Sequence, residues 1–259
     1  MKSRFLAMMC VYIICFSLFS TNAFAQEKQF VAGAGPSEEI CKLFFSKFNK
    51  LDGVSNYEFL VMEGSVKHKG GLLNSDSYLF GRTGRPLSEK EKALGKEQIF
   101  LAKVPIAFAK GLEVDVSQLS MEDIEKIFTR TIINWKEVGG PDAAILVVGR
   151  EESEALFMTL KEEYPFFKDV KFDKVFKKDD DVVNFLNSPG GKYAIAFGAK
   201  PNFTPYNLIT VGDFSTGVRV GLVYDLKNKN NPVIQQAERY ANSSDWKEIV
   251  DKTTMLRNN

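Results

Sequence analysis

Three apolar runs near the front of this chain each close on a glycine-bearing turn and then give way to a helical or polar segment. Gln29 to Ala32 stops at Gly33-Ala34-Gly35-Pro36, and Ser37 to Asn49 reads as a helix with Ile40, Leu43, Phe44 and Phe48 at three- and four-residue spacing. Ser37 is placed to cap that helix, with Glu38 and Glu39 favourable in its first turn. Tyr57 to Met62 ends at Glu63-Gly64-Ser65. Tyr78 to Phe80 ends at Gly81-Arg82-Thr83-Gly84-Arg85-Pro86, after which Ser88 caps a charged helix through Leu94. Strand, glycine turn and helix in repetition read as an α/β fold with parallel strands.

The first 25 residues stand apart from that pattern. Lys2 and Arg4 precede an apolar stretch from Phe5 to Phe19, and Ala23-Phe24-Ala25 supplies a small-residue cleavage site before Gln26. The stretch is short for a bilayer, which wants about 18 apolar residues or more, so the expectation is a cleaved signal peptide and an exported protein. The whole chain carries 34 basic and 33 acidic residues, and the leader removes only two of the basic ones. A nearly neutral body argues against nucleic acid as partner, because binding to a phosphate backbone needs a basic excess. Of three cysteines, Cys10 and Cys15 fall in the leader, and Cys41 alone cannot form an internal disulfide. Stability must come from burial.

The alternation continues to the end of the chain. Ile99 to Ala109 is long and apolar, broken by Lys103 and Pro105; Ser120 and Asp123 form a capping-box-like pair at the head of a helix. Asn134-Trp135, a Gly139-Gly140-Pro141 turn and a strand from Ala144 to Val148 follow, then a helix opening near Arg150. A helix from Asp180 to Leu186, a strand from Tyr193 to Phe197, a two-proline loop from Lys200 to Asn207, a strand from Val218 to Tyr224 and helices at Pro232 to Ala241 and Ser244 to Asp251 complete it. There is no repeat of fixed period and no low-complexity tract.

Four stretches carry a family likeness. Val31-Ala32-Gly33-Ala34-Gly35-Pro36, Glu63-Gly64-Ser65 with Gly70-Gly71, Gly84-Arg85-Pro86-Leu87-Ser88, and above all LSMEDIEKIFTRTIINWKEVGG from Leu119 to Gly140 resemble the phosphate-type family of periplasmic substrate-binding proteins, the receptors that hand solutes to ABC importers. The resemblance implies a two-lobed periplasmic-binding-protein-like (type 2) fold, each lobe a mostly parallel sheet flanked by helices, with the ligand in the cleft between them. It implies chain crossings near Pro105 and Pro205, hence residues 26–105 plus 206–259 in the first lobe and 106–205 in the second. It also implies a small anionic ligand, a membrane permease as partner, a periplasmic location and a monomer.

Strand ends and helix N-termini suit an anion, because unpaired N–H groups and the positive helix end face it and glycine lets the backbone come close. The candidates in the first lobe are Gly33, Ala34 and Gly35 in the opening loop, Ser65 as a hydroxyl donor, and Arg82, Thr83 and Arg85 at the third strand end. Gly84 and Arg85 stand where phosphate-selective members carry an aspartate, and Val66 stands where many have glycine. The second lobe offers Arg150 and Ser153. There the family's serine-glycine-threonine is replaced by Glu151-Glu152-Ser153-Glu154. A carboxylate about 5 Å from a bound anion repels it by roughly 3 kcal/mol at an effective dielectric of about 20. Either these glutamates face solvent while Arg150 faces the cleft, or the pocket takes something other than a small oxyanion.

No nucleophile, base and orienting group assemble into a catalytic motif, no cofactor fingerprint is present, and the single histidine, His68, lacks metal-ligand spacing and reads as a solvated face between two lysines. Cys41 reads as a buried small hydrophobe, and Asp179-Asp180-Asp181 as a solvated face or cap. The expectation is a non-enzymatic solute-binding protein capturing phosphate or a related oxyanion by lobe closure. The alternative is a sensory or protein-interaction module that reuses the fold with an altered pocket.

Overall fold

The computed structural model describes residues 26–258; the expected leader lies outside them. Ten strands and eight α-helices follow in the order β1 (Glu27–Val31), α1 (Glu38–Phe48), β2 (Tyr57–Val61), α2 (Lys67–Ser77), β3 (Gly81–Thr83), α3 (Glu89–Lys92), β4 (Lys96–Lys110), β5 (Gln118–Leu119), α4 (Met121–Phe128), β6 (Leu146–Arg150), α5 (Ala155–Glu163), β7 (Lys174–Phe176), α6 (Asp179–Leu186), β8 (Ala194–Ala199), β9 (Leu208–Val211), β10 (Gly217–Asp225), α7 (Pro232–Ala241) and α8 (Ser244–Val250). Among these described residues no helix is long and apolar enough to cross a membrane.

The strands form two halves with the same internal order. In one, β2 lies parallel to β1, Gly33 bridges in parallel to Arg82 of β3, and β3 is antiparallel to β10, which pairs antiparallel with the front of β4. In the other, β7, β6 and β8 are parallel, and β8 is antiparallel to the back of β4, whose neighbour β9 runs parallel to β5. The architecture is α/β as expected. The long strands β4 and β10 add the antiparallel pairs: β4 runs from one half into the other, and β10 returns beside its front part.

Strand β4 pairs with β10 up to Pro105 and with β8 from Ile106 onward. A proline there is tolerated because it falls where the sheet partner changes, so its missing N–H breaks no continuous ladder. The return falls later than the proline-rich loop suggests. β9 still pairs with Phe108 and Ala109, and Asn207 binds Lys110 through both backbone and side chain. Residues 206–211 therefore sit with the second half, and the partner changes again only between Val211 and Gly217. The prolines at 201 and 205 flank a turn within one half.

Helix α1 buries Ile40, Phe44 and Phe48 of its expected stripe together with Cys41 and Phe45, while Leu43 is only half-buried. Phe44, Phe45 and Phe48 meet Phe59, Tyr240 and Trp246 in one aromatic cluster, each buried ring stabilising the fold by about 1.5–3 kcal/mol. Ser37 does not cap this helix. A short 3₁₀ turn over Gly35–Ser37 already brings it to φ −97°, ψ 0°, and its hydroxyl turns back to donate to the Ala34 carbonyl at 3.0 Å.

The segment from Leu119 to Gly140 is architectural. Ser120 and Asp123 form the expected capping box, and Ile127, Phe128 and Trp135 are fully buried. Asn134 caps the next short turn, and the Trp135 indole donates to the Tyr193 carbonyl at 2.8 Å. Gly139 takes φ +84°, and a Cβ on Gly140 would lie 2.9 Å from Val116. Its conspicuous residues pack and turn the chain, and none of them lines the main cavity described below.

The third strand falls at Gly81–Thr83, not at Tyr78–Phe80, because α2 runs on to Ser77 and the backbone of Gly81 packs directly on that of Gly71.

Candidate functional site

The strand ends of the first half meet through their backbones. The Arg82 N–H donates to the Ala32 carbonyl at 2.8 Å, the Ala34 N–H to the Arg82 carbonyl at 3.2 Å, and the Val66 N–H to the Gly33 carbonyl at 3.0 Å. Ser65 Oγ accepts from the Gly35 and Lys67 N–H groups, both at 3.2 Å. A Cβ on Gly33 would fall 2.1 Å from the Arg82 carbonyl oxygen, so only glycine permits this approach. Gly33, Ala34, Gly35, Ser65, Arg82 and Thr83 are thus brought together. The N–H groups of Ala34 and Gly35, expected free for a ligand, are engaged within the protein.

Arg82 ties the loops together. It is fully buried, with Nη1 donating to the Ala34 carbonyl at 3.1 Å and Nη2 to the carbonyls of Met62 at 2.9 Å and Gly64 at 2.7 Å. Its charge faces Glu38 at 3.4 Å, and the Glu38 carboxyl is held below its ordinary range by its hydrogen bond with Lys42 first and by Arg82 next, against the effect of burial. Next to it Thr83 Oγ1 is buried without a partner, as is Arg82 Nε.

Arg85 is turned away from these loops. Its guanidinium grips Glu91 through both nitrogens at 2.8 and 2.9 Å, and the His68 ring stands 3.4 Å from the same carboxylate without hydrogen-bond alignment. His68 is therefore half-buried beside an ion pair, not on a solvated face. Burial disfavours charge on Glu91, but the Arg85 hydrogen bonds, the Ser88 N–H and the neighbouring charges outweigh it and hold the carboxyl at about 2. Burial and Arg85 also push the His68 ring below its ordinary value.

In the second half Arg150 ends β6 with only 7% of its surface exposed. Nε donates to the Phe176 carbonyl at 3.1 Å, Nη2 to the Lys177 carbonyl at 2.9 Å, and Nη1 is paired with Asp179. Ser153 is exposed in the turn before α5. The three glutamates each have their own partner: Glu151 faces Lys177 at 3.7 Å, Glu152 pairs with Lys161, and Glu154 is the N-cap of α5, accepting from the Phe157 N–H at 2.9 Å. The helix start expected to receive an anion is closed by its own carboxylate.

A cavity of about 800 Å³ lies where the two halves face each other. Gly35 and Pro36 reach it after β1, Asp179 after β7, Ala199 at the end of β8, and Pro201 and Asn202 just beyond; Ile40 and Leu43 of α1, Val104 of β4 and Met255 extend the wall. It thus sits at the carboxyl ends of parallel strands from both halves, the position at which open α/β sheets bind ligands. Of the sequence candidates only Gly35 lines it directly. Asp179, which does line it, reads from sequence as a cap or solvated face; its signal is an acid three residues beyond the end of β7. Among the described residues no cluster of potential metal ligands occurs.

Comparison with known proteins places this geometry. A family model described as a PBP superfamily domain matches residues 22–214. The phosphate-binding protein PstS of Borreliella burgdorferi is 26% identical over 178 residues, covering 66% of this chain and 61% of that protein. PstS of Bacillus subtilis is 37% identical over 93 residues, 36% of this chain and 28% of its own length. The match therefore spans less than two thirds of either relative. Among solved structures, a substrate-binding protein of a phosphate ABC transporter from Clostridium perfringens, described with bound phosphate, superimposes with a TM-score of 0.62 at 19% identity, covering 90% of this chain and 100% of that one. An ABC-type phosphate transport receptor from Vibrio cholerae gives 0.56 at 18% identity over 89% and 100%.

Proposed function

We propose that this chain, which belongs to the PBP superfamily, is a solute-binding receptor that captures a small anion, phosphate or a related oxyanion, between its two halves and delivers it to an ABC permease. The observation that carries this reading is the cavity itself, where strand ends from both halves meet around one space. Two relatives bear the name phosphate-binding protein, which supports phosphate as the first ligand to try. The leader sequence supports export to the periplasm, where such a receptor would work as a monomer. No chemical step is assigned to it.

In this reading Gly33 and Gly35 shape the loop at the edge of the cavity, and the exposed Ser65 hydroxyl is the donor from the first half, while the buried Thr83 takes no direct part. Arg82 sets the loops that carry these residues. Arg85 and Ser153 take no part. Arg150 is the cation of the second half. Ligand contacts made to both halves at once would populate a closed form.

Thermal unfolding of the mature protein tests the proposal against phosphate, sulfate, molybdate, tungstate and small carboxylates. An anion that binds at a hundred times its Kd raises stability by about 2.7 kcal/mol, an easily read shift in Tm. If none of these anions shifts the melting curve at millimolar concentration, the receptor reading is rejected in favour of an interaction module.

A further inference from the structure

Asp179 lines the cavity, and Arg150 lies behind it. Two of the three partners of the Arg150 guanidinium are the backbone carbonyls of Phe176 and Lys177, fixed by the end of β7. The third is the Asp179 side chain, 39% exposed, on the first residue of α6. It is the one partner that can leave without unmaking the turn. A carboxylate offers a guanidinium the same acceptor geometry as a phosphate oxygen. Once displaced, Asp179 would still sit in the first turn of α6, where a negative charge is favoured by the helix dipole, and would face the solvent of the open cleft.

We propose that Asp179 is a built-in surrogate for the bound anion and sets the receptor's anion affinity: ligand must replace its carboxylate at Arg150 Nη1. This rests on the solute-binding reading above. Because the carboxylate is tethered, it competes at high effective concentration whatever the ligand concentration. An anion that approaches without displacing it meets like charge in a partly enclosed space. Only a ligand that also gains contacts on the opposite wall would overcome both effects, so Asp179 acts as a threshold against weakly held anions. A purely structural ion pair tying β6 to α6 makes the opposite forecast. Its loss would lower stability and leave affinity unchanged.

The test is titration calorimetry of the full mature chain with inorganic phosphate, comparing wild type, Asp179→Asn, Asp179→Ser and the double variant Asp179→Asn/Arg150→Met. Removing the competing charge should tighten phosphate binding roughly tenfold or more, the scale of one charge-assisted hydrogen bond gained by the ligand. The double variant should lose that gain. Far-UV circular dichroism and Tm without ligand establish that each variant is folded, and Asp179→Ser serves if Asp179→Asn does not fold. Phosphate affinity that is unchanged or weaker in a folded Asp179 variant overturns the proposal while leaving the receptor reading in place. Failure of every variant, wild type included, to bind phosphate, with no anion of the thermal-unfolding series shifting Tm either, overturns both.

Discussion

The Glu154 carboxylate accepts the Phe157 N–H at 2.9 Å and so caps the helix that begins at Ala155. An N-cap side chain satisfies one of the donors that a helix start otherwise leaves unpaired. An anion approaching this helix start would have to compete with that bond. Glu154→Ala should therefore lower stability by about 0.5–2 kcal/mol, and Glu154→Ser, which retains a capping oxygen, should recover most of it. Urea unfolding at neutral pH reads the difference; equal midpoints for Ala and wild type would mean the cap contributes nothing.

Gly71 and Gly81 press α2 onto β3 with no side chain between them. A Cβ on Gly81 would lie 1.9 Å from the Gly71 carbonyl oxygen, and one on Gly71 would lie 2.0 Å from that of Arg82. Backbone cannot yield as a flexible side chain can, so Gly81→Ala should cost about 1–3 kcal/mol or more through overpacking. Gly64→Ala is the control. Its φ is +79° with open space around the Cβ, and it should cost only the left-handed penalty of about 1–2 kcal/mol. Comparable thermal unfolding of the Gly81→Ala variant and wild type would refute the close packing.

These two contacts also mark where the sequence is legible. The apolar stripe of α1, the long β4 and the Ser120–Asp123 box depend on residues within a turn or two of one another, and all appear in the fold. β3 does not, because Gly-Arg-Thr carries no strand pattern and becomes a strand only by packing against Gly71 and pairing with β10. The arginines show the same division. A guanidinium after a strand end is a fair anion candidate from sequence, but the partners of Arg82 lie up to 48 residues away and those of Arg150 up to 29. Which carbonyl or carboxylate each one meets is fixed by strand order. The α/β class follows from the alternation of elements and the cleft at the strand ends from the family resemblance; the internal closure of its cations follows from neither.

The Arg85–Glu91–His68 cluster should make stability fall with acid in two separate windows. Glu91 has its folded value depressed from 4.5 to about 2, so its contribution is present above pH 4.5 and is lost as pH falls toward 2. His68 is also depressed, from 6.5, but for a base this means the unfolded chain takes up the proton first. Stability therefore begins to fall as pH drops below about 6.5. Glu91→Gln should flatten the lower window and His68→Phe the upper one, read as Tm against pH. A wild-type profile level from pH 7 to 3 would contradict both assignments.

Arg82 makes the strongest forecast about the first half of the site. Its guanidinium satisfies carbonyls from the loops after β1 and β2, and it is wholly buried with Glu38 as its counter-charge. Arg82→Met leaves these carbonyls and the Glu38 charge without a partner, which should cost about 3–5 kcal/mol. Arg82→Lys keeps the charge but cannot reach three carbonyls with the fixed fork, and should recover only part of that. Because Ser65 is held by Gly35 across the same loops, a folded Arg82→Lys variant should also bind any anion more weakly. Urea unfolding and phosphate calorimetry on the same samples separate the effects. A lysine variant with wild-type stability and affinity would show that the loops hold their places without the guanidinium.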